Sequence, residues 1–220
     1  MSLVDATVGA MFLGAAALWW LGWVLLPVKI GEFFVASDFA AVHRSFHAWI
    51  WLFRIHLFGY LVAVMALVAF ATLYTEHTAR VLIWPATAVA CAGLVVGCLA
   101  AAFYYHFGAW GALELHGQPE DAAVRMVASL KVPTEYVTCL VRFGRVFFGL
   151  GQVLLGAGML VAAAAVSWDA LGPWLAVAAI LLGIAAMALT MGRPDDLHLY
   201  HPLFHLNAIW LVAMGVLRLL

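Results

Sequence analysis

The hydrophobic pattern of the chain consists of six long apolar stretches, separated by segments that carry most of the charged residues. Each stretch is apolar all round a helix and close to the roughly 20 residues that a helix needs to cross a bilayer. Strands of a membrane barrel would alternate apolar and polar residues. The pattern therefore predicts an all-α, polytopic membrane helix bundle of about six transmembrane helices. The expected spans lie near residues 8–28, 46–74, 81–107, 136–166, 173–191 and 202–220.

The composition also indicates a membrane protein. Hydrophobic residues make up 67% of the 220 residues and charged residues only 10%, and the mean hydropathy is +1.08. A soluble domain carries about 25% charged residues. No repeat or linker divides the sequence, so we expect one integral-membrane domain over residues 1–220 with the lipid bilayer as its surroundings. The formal net charge of -1 argues against a nucleic-acid partner.

An even number of spans places both termini on the same face of the membrane, here named the terminal face; the opposite side is the loop face. Basic residues are concentrated toward the loop face, and cytoplasmic loops carry the excess of such residues. We therefore expect an integral protein of a bacterial inner membrane, with periplasmic termini and a cytoplasmic loop face. The loop-face basic residues are Lys29, Arg44, Arg54, Arg125, Lys131, Arg142, Arg145 and Arg193, against Arg80 and Arg218 at the terminal face.

The longest connection between expected spans runs from Gly108 to Glu135. Its middle, residues 121–130, is predicted to form a short interfacial helix. Pro133 and Thr134 then have the pattern of a helix start, with Thr134 as an N-cap.

The histidines are the main polar signal, because polar residues in membrane spans are costly and commonly functional. The spacing of His43 and His47 places them on one helix face, and His201 and His205 also share a stripe. His106 ends the third span. We therefore expect three helices to point imidazoles into a common space. Seven of the 9 histidines lie toward the loop face, namely His43, His47, His106, His116, His198, His201 and His205.

Two cofactor chemistries suit such an arrangement. A haem b would take two axial imidazoles, either His47 with His205 or His106 with His205. A non-haem iron, copper or zinc ion would take three or more ligands. The metal candidates are His43, His47, His106, His201, His205 and Glu114, and the cofactor candidates are His47, His106, His201, His205, His56 and Arg54.

Two deep polar residues stand apart from the cluster. His56 lies about 13 Å deeper than His47 at a rise of 1.5 Å per residue, and on the opposite helix face. No other span has a histidine at that depth, so we expect His56 to pair with a quinone, with Gln152 or with a methionine. Arg54 shares the face of His47 and needs an anion or a water-filled cavity; snorkelling to the loop face is the alternative.

The segment Phe53-Arg54-Ile55-His56-Leu57, followed by an apolar helix and then His77, resembles the haem-bearing last helix of the cytochrome b anchor of respiratory nitrate reductases. That family carries a haem ligand in a Phe-Arg-Leu-His element and a second histidine at the far end of the same helix. The resemblance implies that His56 and His77 are ligands and that the protein passes quinol electrons to a partner. It covers one helix of six.

Three functions follow from these observations. The first is a haem b membrane cytochrome that transfers electrons between the quinone pool and the other subunits of a redox complex, the haem supplying the chemistry. The second is a metal-dependent membrane enzyme that uses the loop-face histidines, although neither HExxH nor HxxHH occurs in the sequence. The third is a structural or pigment-binding subunit of a membrane assembly.

Overall fold

The computed structural model describes residues 2–74, 77–165, 172–193 and 197–220, without the side chains of residues 164, 165, 197 and 198. These residues form seven helices and no strand. Six of the helices are long and apolar enough to cross a membrane, which confirms the predicted all-α, six-span bundle. The helices are α1 (Leu3–Val24), α2 (Ala36–Arg44), α3 (Phe46–Thr72), α4 (His77–Glu114), α5 (Glu120–Ala165), α6 (Gly172–Gly192) and α7 (Leu197–Leu219).

The connection between α4 and α5 is far shorter than predicted. α4 continues to Glu114 and α5 begins at Glu120, so the expected interfacial helix over residues 121–130 is the first part of α5. Pro133 lies inside α5, and Thr134 is no N-cap, because its hydroxyl donates to the carbonyl of Leu130 in the preceding turn at 2.7 Å. The two helices therefore project beyond the predicted spans as a helical hairpin at the loop face.

The short helix α2 packs against this hairpin. Phe39 lies fully buried beside Phe34 and Leu130 in a small loop-face cluster. The ring of Phe39 also fills the space next to Gly111 of α4, and Met126 of α5 lies at the same place. α2 thus packs the segment that follows α1 against the C-terminal end of α4 and the N-terminal end of α5.

The six spanning helices form a closed ring. In chain order α1, α3, α4, α5, α6 and α7 each pack on the next, and α7 packs back on α1. α1 and α5 therefore stand on opposite sides of the ring. At the terminal face, Arg218 of α7 lies 3.7 Å from Asp5 of α1 and joins the two helices that close it.

Small residues let α1 and α3 approach closely. A Cβ atom on Gly22 of α1 would lie 2.6 Å from the backbone nitrogen of His56 on α3. The crossing is therefore backbone against backbone, as small residues permit in membrane helices. It fixes His56 against the carbonyl groups of α1.

The two halves of the ring differ in how they are filled. Side chains from all six spanning helices fill the half nearer the terminal face. Phe12, Phe70 and Met159 are among its fully buried members. The half nearer the loop face is not filled, and the cavity described next lies there.

Candidate functional site

A cavity of about 280 Å³ lies inside the loop-face half of the ring. All six spanning helices and the connection between α1 and α2 line it. Its lining on α3 runs from Trp49 to Tyr60, about 16 Å along the axis at 1.5 Å per residue. The volume is close to the lower limit of the roughly 300–1,000 Å³ typical of small-molecule sites. On the loop side the cavity is lined by Leu26 and residues 28–32.

His56 is the buried imidazole of this cavity. Its side chain is 2% exposed, and its Nδ1 lies 2.8 Å from the carbonyl oxygen of Trp19. Because a carbonyl only accepts hydrogen bonds, Nδ1 carries the proton and Nε2 keeps its lone pair. No described residue is hydrogen-bonded to Nε2. His56 is thus fixed in one tautomer and offers an acceptor or ligand nitrogen at the cavity wall.

Aromatic rings surround His56. The ring of Tyr60 lies 4.9 Å away and that of Trp23 5.6 Å away. Phe204 of α7 packs against Trp19 at 4.9 Å and against Trp23 at 6.0 Å. Such walls suit a flat apolar ligand, because aromatic rings stack with one another at these separations.

Arg145 of α5 also lines the cavity. Its guanidinium carbon lies 4.0 Å from the centre of the Tyr200 ring on α7. The Tyr200 hydroxyl is in turn held by the hydroxyl of Thr190 at 2.9 Å and the carbonyl of Ala186 at 3.0 Å. Among the residues that the structure describes, no carboxylate forms an ion pair with Arg145. A guanidinium is always charged, so the cavity holds a fixed positive charge.

The connection over the loop side of the cavity is tied down at two points. The Lys29 ammonium donates to the carbonyl of Trp23 and lies 4.8 Å over the Trp23 ring. Tyr104 of α4 donates to the carbonyl of Glu32 at 2.9 Å, and Glu32 Oε2 lies 3.5 Å from Arg142 Nη2. Partial burial lowers the pKa of Lys29 below its usual value of 10.5.

Two of the predicted cofactor residues line the cavity. They are His56, which the sequence left without a partner, and His201, which stands near the loop-face end of α7. None of the other cluster histidines with a described side chain lines the cavity, and the side chain of His198 lies outside the described residues. The prediction that imidazoles from three helices share one space is therefore wrong for the described residues.

His43 and His47 do not share a helix face, because the chain forms two separate helices at this point instead of one. α2 ends at Arg44, Ser45 leaves helical geometry with φ of −119°, and α3 begins at Phe46. The expected spacing within one helix is thereby lost. His43 instead stacks on His116 with ring centres 4.0 Å apart, and His47 is exposed.

The remaining predicted ligands lie on the outside of the ring. His106 and Glu114 are exposed on α4. His205 accepts a hydrogen bond from the Trp20 indole at its Nδ1, at 2.7 Å. Neither proposed axial pair, His47 with His205 or His106 with His205, faces the cavity.

The predicted metal set is not assembled either. Within residues 2–74, 77–165, 172–193 and 197–220, no three histidine, cysteine or acidic side chains are placed to hold one ion. The set named from the sequence was His43, His47, His106, His201, His205 and Glu114. His43 is held in a stacked pair and His205 in a bond to an indole, so both point away from the others.

Arg54 is also placed differently from the expectation of an internal anion. It is exposed on the outer side of α3. Its Nε donates to the hydroxyl of Tyr105 at 3.2 Å, and its guanidinium lies 5.3 Å over the Trp51 ring. His77, which the family resemblance offered as a ligand, is exposed at the start of α4, on a different helix from His56.

The sequence left two places open for Arg145, the zone of Arg54 or, preferred, the loop face by snorkelling. A signal was present in the spacing of polar residues on α5: Thr138, Arg145 and Gln152 recur every seven residues. This period keeps side chains on one helix face. In the structure Thr138 and Arg145 line the cavity, and Gln152 donates to Asn207 of α7 at 2.6 Å.

No protein-family model, curated protein or solved structure matches this chain. The function of this chain is therefore inferred from the chemistry of the cavity. Its three main properties are the presented Nε2 of His56, the aromatic walls and the cations at the loop side.

Proposed function

We propose that this chain is a haem b-binding subunit of a membrane redox complex, with the haem in the central cavity beside His56 rather than at His47, His106 or His205. The observation that carries the proposal is the orientation of His56. Histidines that bind a metal nearly always donate their other ring N–H to a backbone carbonyl, carboxylate or water. His56 already makes this bond, to the carbonyl of Trp19, so its Nε2 is set to ligate an iron.

The rest of the cavity suits a flat apolar cofactor. The macrocycle would lie among Trp23, Phe53 and Tyr60, whose rings stand within 6.3 Å of the His56 ring centre. With His56, His201 would hold the group, since it is the other described histidine of the lining. A bound haem would supply one-electron exchange at its iron, while the chain sets the potential through ligands and burial.

A second candidate is direct binding of a quinol ring in the same cavity. A neutral imidazole with its proton on Nδ1 accepts a hydrogen bond at Nε2, and a quinol hydroxyl is a donor. The cavity volume of about 280 Å³ favours this smaller ligand. In both cases we propose that electrons pass between the quinone pool and other subunits.

The proposed setting is a bacterial inner membrane with the loop face in the cytoplasm. The excess of basic residues toward that face supports this orientation. Lys29, Arg142 and Arg145 all lie on that side of the ring, by the cavity or beside Glu32. A cysteine-accessibility assay at Gln118, an exposed residue between α4 and α5, would report which compartment the loop face meets.

A reduced-minus-oxidised visible spectrum of the purified protein tests the proposal. We expect a sharp haem b band that His56→Ala abolishes and that His205→Ala, the matched control on the outside of the ring, retains. A protein without the band but with extractable quinone supports the second candidate. A band that survives His56→Ala and disappears with His205→Ala contradicts the cavity site.

A further inference from the structure

The loop side of the cavity carries more positive than negative charge. Two cations, Lys29 and Arg145, line the cavity with one carboxylate, Glu32. That carboxylate is already engaged by a third cation, Arg142. Among the described residues, neither Lys29 nor Arg145 forms an ion pair with a carboxylate, and Glu32 acts on Arg145 only from a longer distance. An arginine inside a membrane bundle without an anion is costly, so a counter-charge is the expected missing component.

The two cations are held on opposite walls. Lys29 follows α1 and is tied to the carbonyl of Trp23. Arg145 is on α5, across the ring from α1, and lies on the Tyr200 ring. Neither interaction neutralises a positive charge. Both cations remain available to an anion that sits between the walls.

Two buried polar groups of the same cavity also lack a partner. Trp19 Nε1 and Thr138 Oγ1 have no hydrogen bond within the described chain, and each residue is only 6% exposed. The phenol of Tyr60 lies near Trp19 and that of Tyr104 near Thr138, but neither pair has the geometry of a hydrogen bond. Buried donors left unpaired are destabilising, and a ligand oxygen would satisfy them.

We propose that the cavity binds its ligand through an acidic group, with Arg145 and Lys29 holding one or two carboxylates at the loop side and the aromatic walls holding an apolar body. This inference deepens the proposed function, because it concerns the same cavity. It specifies the chemistry of the ligand: a carboxylate-bearing apolar ring compound. Arg145 supplies paired N–H groups that match a carboxylate, and Lys29 supplies a point charge.

The test uses a ligand that contains no iron and undergoes no redox reaction, and protein from which any bound haem or quinone has been extracted, so that the cavity is open to the probe and the result is independent of the haem proposal. Pyrenebutanoate and its methyl ester share one apolar body and differ in charge. Energy transfer from the tryptophans of the cavity, Trp19, Trp23 and Trp49, to pyrene reports binding to the detergent-solubilised protein. A hydrogen bond to a charged group contributes about 1.5–3 kcal/mol, so we expect the acid to bind at least about tenfold more tightly than the ester.

The variants assign this preference to a residue. Arg145→Gln should reduce the preference for the acid to near unity, and Arg145→Lys should retain part of it. Arg54→Gln is the matched control, because that arginine faces outward on α3 and should leave the preference unchanged. Where Arg145→Gln does not fold, Arg145→Lys and the wild-type comparison of acid with ester decide the question.

Equal affinity for acid and ester in the wild type overturns the inference, as does an unchanged preference in Arg145→Gln. Binding of neither probe also overturns it. The haem proposal and the acid-binding inference can fail separately, because His56→Ala should lose the haem band but keep the preference for the acid. A protein that shows that preference and has no haem band retains an acid-binding cavity with a different occupant.

Discussion

Substitution of Gly22 by alanine is the sharpest test of how α1 and α3 build the cavity wall. The added Cβ would lie 2.6 Å from the backbone nitrogen of His56, and ordinary contact begins at 3.4 Å. The two backbones must therefore move apart by about 0.8 Å, and backbone atoms cannot rotate away as a flexible side chain can. Overpacking of this kind costs about 1–3 kcal/mol.

For a chain of this size, each kcal/mol corresponds to about 2–4 °C in melting temperature. We therefore expect Gly22→Ala to melt about 2–12 °C below the wild type, measured by thermal unfolding in detergent. The bound cofactor should also be held more weakly, since the bond from His56 to the Trp19 carbonyl spans the same crossing. Loss of stability and loss of cofactor should occur together.

Gly14→Ala is the matched control on the same helix. Its added Cβ would meet only Val62 Cγ1, at 4.0 Å, and alanine is the better helix former by about 0.5–1 kcal/mol. The melting temperature should stay the same or rise slightly. If Gly22→Ala proves as stable as Gly14→Ala, α1 and α3 do not cross as described, and the position of His56 in the cavity wall is wrong.

Three further predictions concern polar groups inside and outside the ring. Asn207→Leu leaves the buried amide of Gln152 without its hydrogen-bond partner and should lower the free energy of unfolding by about 1–3 kcal/mol. The double variant with Gln152→Leu should recover most of this loss, as measured by thermal melts of the single and double variants. Trp20→Phe removes the bond to His205 and should leave cavity binding unaltered in the pyrene assay, and a loss of binding would contradict the outward placement of that pair. Burial lowers the pKa of Lys29 below its usual value of 10.5. The ammonium is therefore charged below this lowered pKa and loses its charge as the pH rises through it. The affinity for pyrenebutanoate should therefore fall with rising pH in the wild type and vary less in Lys29→Met; identical pH profiles would remove Lys29 from the site.

The spans could be predicted because hydropathy depends on composition along the chain alone. The six apolar stretches match the six long helices, and the second span begins at Phe46 as expected. The ends of the helices were harder. Pro133 is an ordinary signal of a helix start, yet here it lies inside α5, because α5 packs on α4 and α2 along the projecting hairpin.

The site was less predictable, because the side of a helix that faces the interior depends on the order of packing. Spacing alone placed His43 with His47, and the helix break at Ser45 separates them. The sequence indicated His56 as a deep residue with no histidine at its depth, but did not place it in a cavity wall. Arg145 was assigned to the loop face, since a ring closed by α7 and α1 cannot be deduced from the apolar pattern.

The most direct measurement of the central claim is an experimental density map of the protein purified with its native ligand. We expect density for a flat group inside the ring, in contact with His56 Nε2, with an acidic group directed toward Arg145. Density at His106 or His205 on the outside of the ring, with a cavity that contains only solvent, would contradict the account.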